Sequence, residues 1–225
     1  MNFNDFVLFD DGNIIVLNKP SGLLSIPDGY DSAQPNLKLA LEQEFGRIWV
    51  VHRLDKLTSG VILYAKNADA HRALNEQFSR HIPSKNYRAI SYGFPVWAEK
   101  IIKIPLKVNG DRTHRTVPDE MQGKQAISRV VLRRKYDRHC ALDIFPKTGL
   151  THQIRAHLST CGLPIVGDPL YWRASQMKGK LISNFPIQYP YMFLHAYSLE
   201  ILNPHDQKPM QFIAPEPIYM QSFLP

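Results

Sequence analysis

The sequence predicts an α+β fold with a long, mainly antiparallel mixed sheet. Three observations carry this expectation. Stretches rich in β-branched, aromatic and alternating residues fill most of the chain. Only three stretches have the apolar spacing of a helix, and no regular βαβα alternation or Gly-rich nucleotide-binding loop is present. The chain has 225 residues, of which 44% are hydrophobic and 21% charged. That length and composition predict one domain, 1–225, with a core large enough to need no disulfides.

The elements follow in order. Phe6 to Phe9 is a short apolar strand, Asp10-Asp11-Gly12-Asn13 a turn, and Ile14 to Asn18 a second strand ended by Lys19-Pro20-Ser21-Gly22. A helix is expected from Leu37 to Phe45, with Asn36 as N-cap, Leu37, Ala40, Leu41 and Phe45 as its apolar stripe, and Gly46 closing it. A second helix is expected after Asp69 as N-cap, with Ala70, Ala73, Leu74 and Phe78 on one face. A third is expected after Thr151 as N-cap, stopping at Cys161-Gly162 before Pro164. Val50-Val51, Val61 to Ala65, Tyr87 to Ser91, Ile127 to Leu132 and Ala141 to Phe145 read as strands. Pro186, Pro190, Pro204, Pro209, Pro215, Pro217 and Pro225 make the last forty residues strands and loops rather than long helices.

Composition bounds the function. Lys and Arg number 27 against 20 Asp and Glu, a net charge of +7, which favours a polyanionic partner such as nucleic acid or an acidic membrane surface. Between Lys107 and His139 nine cations face four anions, the footprint of a phosphate-backbone reader or of a solvated hairpin. Two cysteines, Cys140 and Cys161, make neither a disulfide framework nor a zinc site. His152 and His157 are five apart, not the four that two ligands on one helical face want. No apolar run approaches membrane-spanning length, and the N-terminus lacks a basic region before an apolar one. A cytoplasmic location, no membrane partner, no metal and no cofactor are the expectations.

Three segments could carry chemistry. VVHRLDKLTSGVILYAKN, from Val50 to Asn67, places Asp55 in a loop between two buried strands. A carboxylate there is costly unless paired. It is either a turn aspartate served by Thr58 or Ser59, or a functional group. KTGLTHQIRAH, from Lys147 to His157, puts Arg155 near a helix start, either exposed or buried with a carboxylate partner, for which Asp55 is the candidate. In SKNYRAISYG, from Ser84 to Gly93, Tyr87 among cations is either a stacking platform for a base or a half-buried strand tyrosine.

Together, HRLD followed by TSG and AK, then KNYRA, TG-THQIRAHL, GLPIVGDPLY and LHA at Leu194 to Ala196 closely resemble the RluA-type family of RNA pseudouridine synthases. The resemblance runs from about Asp10 to Pro204. It implies the pseudouridine synthase fold, with a cleft across the middle of the sheet, and a catalytic domain without the S4-like RNA-binding domain of many relatives. By resemblance Asp55 is the catalytic aspartate, Tyr87 the active-site tyrosine, Arg155 the arginine paired with the aspartate, and Arg53 the residue that fills the stack left by the flipped base. The family commonly has Arg where this chain has Leu150, which removes a basic contact near the cleft.

The implied reaction breaks the N1–C1′ bond of a uridine, turns the uracil and rejoins it through C5. It is an isomerisation and needs no redox cofactor. The implied partner is a ribosomal or transfer RNA stem-loop, with ribosomal RNA favoured, acted on by a monomer. Two rival functions are weighed against this one. A glycosylase or hydrolase usually wants two carboxylates flanking the bond, and the motifs offer only Asp55. The other rival is a non-catalytic RNA-binding protein using the same basic cleft, against which Asp55, Tyr87 and Arg155 together argue without removing it.

Overall fold

The chain leaves one compact unit at Lys85 and returns to it at His195. Unit 1 comprises residues 1–85 and 195–221, and unit 2 comprises residues 86–194 and 222–225. The computed structural model describes residues 5–29, 31, 33–172, 189–221 and 223. Pro186 and Pro225 lie outside the described residues. The class is the expected α+β, with mostly antiparallel strands.

Unit 1 opens with the hairpin β1 (Val7–Asp10) and β2 (Ile14–Lys19). Its turn is made by the Asp11 carboxylate, which accepts the Asn13 and Ile14 amides, and by Gly12 at φ +82°. Helix α1 (Leu37–Phe45) is capped by the Asn36 side chain on the Leu39 amide, as its sequence predicts. β3 (Trp49–Val50) and β4 (Ser59–Ala65) follow. All seven residues of β4 are buried, which is why it reads as a continuous apolar run. Helix α2 (Ala68–Ser79) starts earlier than expected. Asn67 takes the capping role by accepting the Ala70 amide, and Asp69 moves into the first turn, where a carboxylate suits the helix dipole.

Unit 2 holds β5 (Ser84–Tyr92), β6 (Glu99–Lys103), β7 (Leu106–Lys107), β8 (Val117–Pro118), β9 (Ile127–Lys135) and β10 (His139–Pro146). β10 pairs antiparallel with both β5 and β9, and β9 with β6. Helix α3 (Gln153–Thr160) lacks the predicted Thr151 cap. Its cap position is His152, in the left-handed region at φ +56° with no capping hydrogen bond. Gln153 secures the start instead, its Oε1 accepting from the Leu150 amide and the Thr148 hydroxyl. The Thr151 carbonyl is used to accept from the Thr116 hydroxyl.

The chain then completes unit 1 with β11 (Leu194–Leu202), β12 (Pro209–Ile213) and α4 (Ile218–Gln221). β11 runs parallel to β4 through His195 opposite Ser59 and Ala196 opposite Gly60. A Cβ on Gly60 would collide with the Ala196 carbonyl, and the residue sits at φ +110°, so only glycine fits there. The core of this unit joins Val16, Val61, Leu63, Leu74, Leu199, Ile201 and Phe212 across β2, β4, α2, β11 and β12.

Candidate active site

The loop from His52 to Thr58 joins β3 to β4, as the sequence predicts, and Asp55 is half-buried on it. The loop is pinned mostly through backbone atoms. The buried Ser25 hydroxyl bonds both the carbonyl and the amide of Leu54, at 2.8 and 3.1 Å. Lys56 gives its carbonyl to the Gly22 amide, and Leu57 gives its carbonyl to the Ser21 hydroxyl. The Thr58 amide donates to the Asp55 carbonyl, so the expected turn forms through the main chain. The Ser59 hydroxyl bonds His195 Nδ1 at 2.9 Å and the Tyr219 hydroxyl at 3.3 Å.

Two side chains complete this support. His52 stacks on Phe78 and accepts the Leu63 amide at Nε2, 3.0 Å away. Burial, with the charge of Lys85 adding to it, pushes the imidazole down to about 3, so it stays neutral and able to accept. Lys19 is fully buried at the end of β2. Its ammonium donates to the carbonyls of Pro20, Leu23 and Lys56 at 3.0, 2.6 and 3.0 Å, which uses its three donors. Burial pushes it down to about 7, and the negative charge of Asp55 opposes that shift. Arg53, between these anchors, is exposed.

In unit 2, Tyr87 is half-buried on β5 opposite Ile144 of β10. The alternation of the strands puts Tyr87, Ile144, Val130 and Ser128 on one face. Gln153 and His157 of α3 both hydrogen-bond the Ser128 hydroxyl at 3.0 Å, so α3 lies on the face that carries Tyr87. Arg88, Arg133 and Asp143 form ion pairs on the opposite face, and Arg129 stacks there on Phe145. The basic stretch is therefore not one stripe. Arg129 and Arg133 point away from α3, whereas Arg115 reaches the Leu170 carbonyl and the Asp111 carboxylate beside it.

Arg155 on α3 is 3% exposed. It is not an exposed helix arginine. The carboxylate on its Nε and Nη2 belongs to Asp168, at 2.7 and 2.9 Å, and its guanidinium lies over the Tyr171 ring at 5.0 Å. The sequence reading missed Asp168, although Gly167-Asp168-Pro169 is a visible turn signal. It also took Lys19 for the end of a strand. Leu150 packs against Leu106, Ala126, Ala156 and Tyr171, so an apolar contact occupies the position of the family's usual arginine.

A family model described as RNA pseudouridylate synthase matches residues 13–160. That span includes Arg53, Asp55, Tyr87 and Arg155. The chain is 34% identical over 213 residues to the dual-specificity RNA pseudouridine synthase RluA of Haemophilus influenzae, covering 92% of this chain and 91% of that one. It is 39% identical over 217 residues to an uncharacterized RNA pseudouridine synthase of Zymomonas mobilis, covering 94% and 93%. The solved structure of human RNA pseudouridylate synthase domain containing 4 has the same fold, with a TM-score of 0.75 at 23% identity, over 97% of this chain and 91% of that one. The chain belongs to the RNA pseudouridylate synthase family and is an isomerase acting on uridine in RNA.

Proposed function

We propose that Asp55 is the catalytic carboxylate, that Tyr87 stacks on the flipped uracil, that Arg155 orients the reacting carboxylate, and that Arg53 fills the gap in the RNA stack. The observation that carries this reading is the family match, which spans all four residues in one stretch. Exposure fits the roles: Arg53 is on the surface, Asp55 and Tyr87 are half-buried, and Arg155 is buried. Flipping the base costs a few kcal/mol, which stacking on Tyr87 partly recovers. Two routes are open to Asp55, attack on C1′ or removal of the C2′ proton. In both, the C1′–N1 bond breaks, a C1′–C5 bond forms, and the C5 proton is exchanged for one on N1.

The substrate of this reading is a stem-loop recognised by shape and flipped bases. Ribosomal RNA is its first candidate, and the dual specificity in the name of the Haemophilus relative makes transfer RNA the second. The two units work as one catalytic domain of a cytoplasmic monomer. Among the described residues, no helix is long and apolar enough to cross a membrane.

RNA carrying tritium at C5 of uridine tests the reading. The protein releases tritium and leaves the strand intact, and Asp55→Asn releases none. A freed base or a cut strand would make it a glycosylase or hydrolase. Binding without release would make it a carrier of RNA only. Carbodiimide mapping of pseudouridines in total RNA, with and without the gene, then identifies the uridine.

A further inference from the structure

We infer that Asp168 is a positioning residue for catalysis: it holds the Arg155 guanidinium in place, and neutral in sum, while the reacting carboxylate changes charge. The inference rests on the role proposed for Arg155. Asp168 is 2% exposed and comes from the turn after α3, thirteen residues beyond Arg155. Its carboxylate is aimed by the backbone before it meets the arginine. Oδ1 accepts the amides of Leu170 and Tyr171 at 2.9 and 3.1 Å. Gly167, at φ +75° and without room for a Cβ beside the Tyr191 carbonyl, fixes the approach of this turn.

Both oxygens then grip the Nε–Nη2 edge of Arg155 in the bidentate geometry that a planar guanidinium suits. Tyr171 closes one side. Its ring lies against the guanidinium, and its hydroxyl donates to the Thr116 carbonyl and accepts the Thr116 amide. Asp168 and Tyr171 thus fix the plane and the direction of the guanidinium.

The reaction makes this arrangement necessary. Asp55 becomes an ester if it attacks C1′, and a neutral acid if it takes the C2′ proton. Either way its negative charge disappears in mid-reaction. An arginine whose only counter-charge was Asp55 would at that moment be a buried cation without a partner, a costly state. With Asp168 in place, Arg155 is compensated before, during and after that step. It acts through a directed N–H group already in position rather than through a net charge that must be repaired.

The test uses the full chain and an RNA substrate that the wild type turns over. Without wild-type turnover the functional reading itself fails. Asp168→Asn keeps an oxygen for the Leu170 and Tyr171 amides but sets an amide nitrogen against Nε. The expected result is a kcat lowered roughly 10- to 100-fold with KM little changed, alongside a lower melting temperature because the buried guanidinium loses its charge partner. If that variant does not fold, Asp168→Glu serves, because it keeps the charge while displacing the guanidinium, and its kcat also falls.

A second readout separates positioning from simple support. Guanidinium added to Arg155→Ala should restore part of the activity, because Asp168 and Tyr171 still form a cradle for it. The double variant Arg155→Ala, Asp168→Asn should show no such rescue. Wild-type kcat in the folded Asp168 variants, or equal rescue with and without the Asp168 carboxylate, overturns the inference and leaves the proposed function standing.

Discussion

The loop that bears Asp55 and the helix that bears Arg155 hold their charged groups in opposite ways. On the loop, the anchors grip the neighbours. Ser25 takes Leu54, Lys19 takes the Lys56 carbonyl, and His52 ties the loop's start to β4. Asp55 itself stays half-buried. On the helix the anchor grips the functional group directly, through two hydrogen bonds to a buried carboxylate. The difference matches the roles proposed for the two groups. The position of Asp55 is set by main-chain hydrogen bonds of Leu54 and Lys56 on either side of it, which suits a carboxylate proposed to react. A cation that must only stay in place can be locked by its own side chain.

The largest effects test whether the two ends act as one. Asp55→Asn should lower turnover roughly 10³-fold or more while leaving RNA binding in place, because the amide keeps the shape and loses the charge. Arg155→Ala should be nearly as damaging, and the double variant little worse than either, since groups acting as a unit are strongly non-additive. Losses that simply multiply would show two independent sites.

A smaller effect probes the backbone anchors. Lys19→Met fills the space but leaves three carbonyl oxygens without their donor. A loss of about 3 kcal/mol in denaturant unfolding is expected, accompanied by slower turnover. Unchanged unfolding would mean that Ser21, Ser25 and His52 hold the loop without Lys19.

His52 gives that side of the comparison a pH signature. Its folded value lies near 3 and its unfolded value near 6.5. Between those values the unfolded chain binds more protons. The stability His52 contributes is therefore complete above pH 6.5 and is lost as pH falls toward 3. Unfolding free energy should drop by about 2 kcal/mol between pH 6.5 and 4.5 from this group alone. His52→Gln, which can still accept the Leu63 amide, should flatten that part of the profile. An equal drop in the variant would assign the acid sensitivity elsewhere.

The smallest effect concerns the basic stretch. Arg133 is on the face away from α3, and the exposed Arg112 precedes the Arg115 anchor. Arg112→Ala should lower the salt dependence of RNA binding by roughly 0.7 to 0.9 in log–log slope, and Arg133→Ala should leave it unchanged. The reverse result would put the RNA on the outer face of unit 2.

Much of this was legible in the sequence because it is local. The Asp10–Asn13 turn, the Asn36 cap and the apolar run of β4 each depend on a few neighbouring residues, and each formed where the sequence placed it. The caps of α2 and α3 were misplaced for two physical reasons. Asn67 and Asp69 can both cap, and the earlier one prevails when the helix can start there. The Thr151 carbonyl is drawn away by Thr116, a residue 35 positions distant. Lys19 and Asp168 were overlooked because their roles lie in what they meet after folding. A lysine ending a strand and an aspartate in a turn are ordinary until the carbonyls of Leu23 and Lys56, or the guanidinium of Arg155, come within reach.

The parallel pairing of β11 with β4 also sets an order of events during synthesis. Ser59 and His195 are separated by 136 positions. Closing a loop of that size costs about 2 kcal/mol more in chain entropy than closing one of ten residues. Unit 2 takes most of its residues from the stretch 86–194, while unit 1 needs the strand that returns to it at His195. Arg155 and Asp168 leave the ribosome before β11, so they can meet on a nascent chain while the loop that bears Asp55 still lacks that strand.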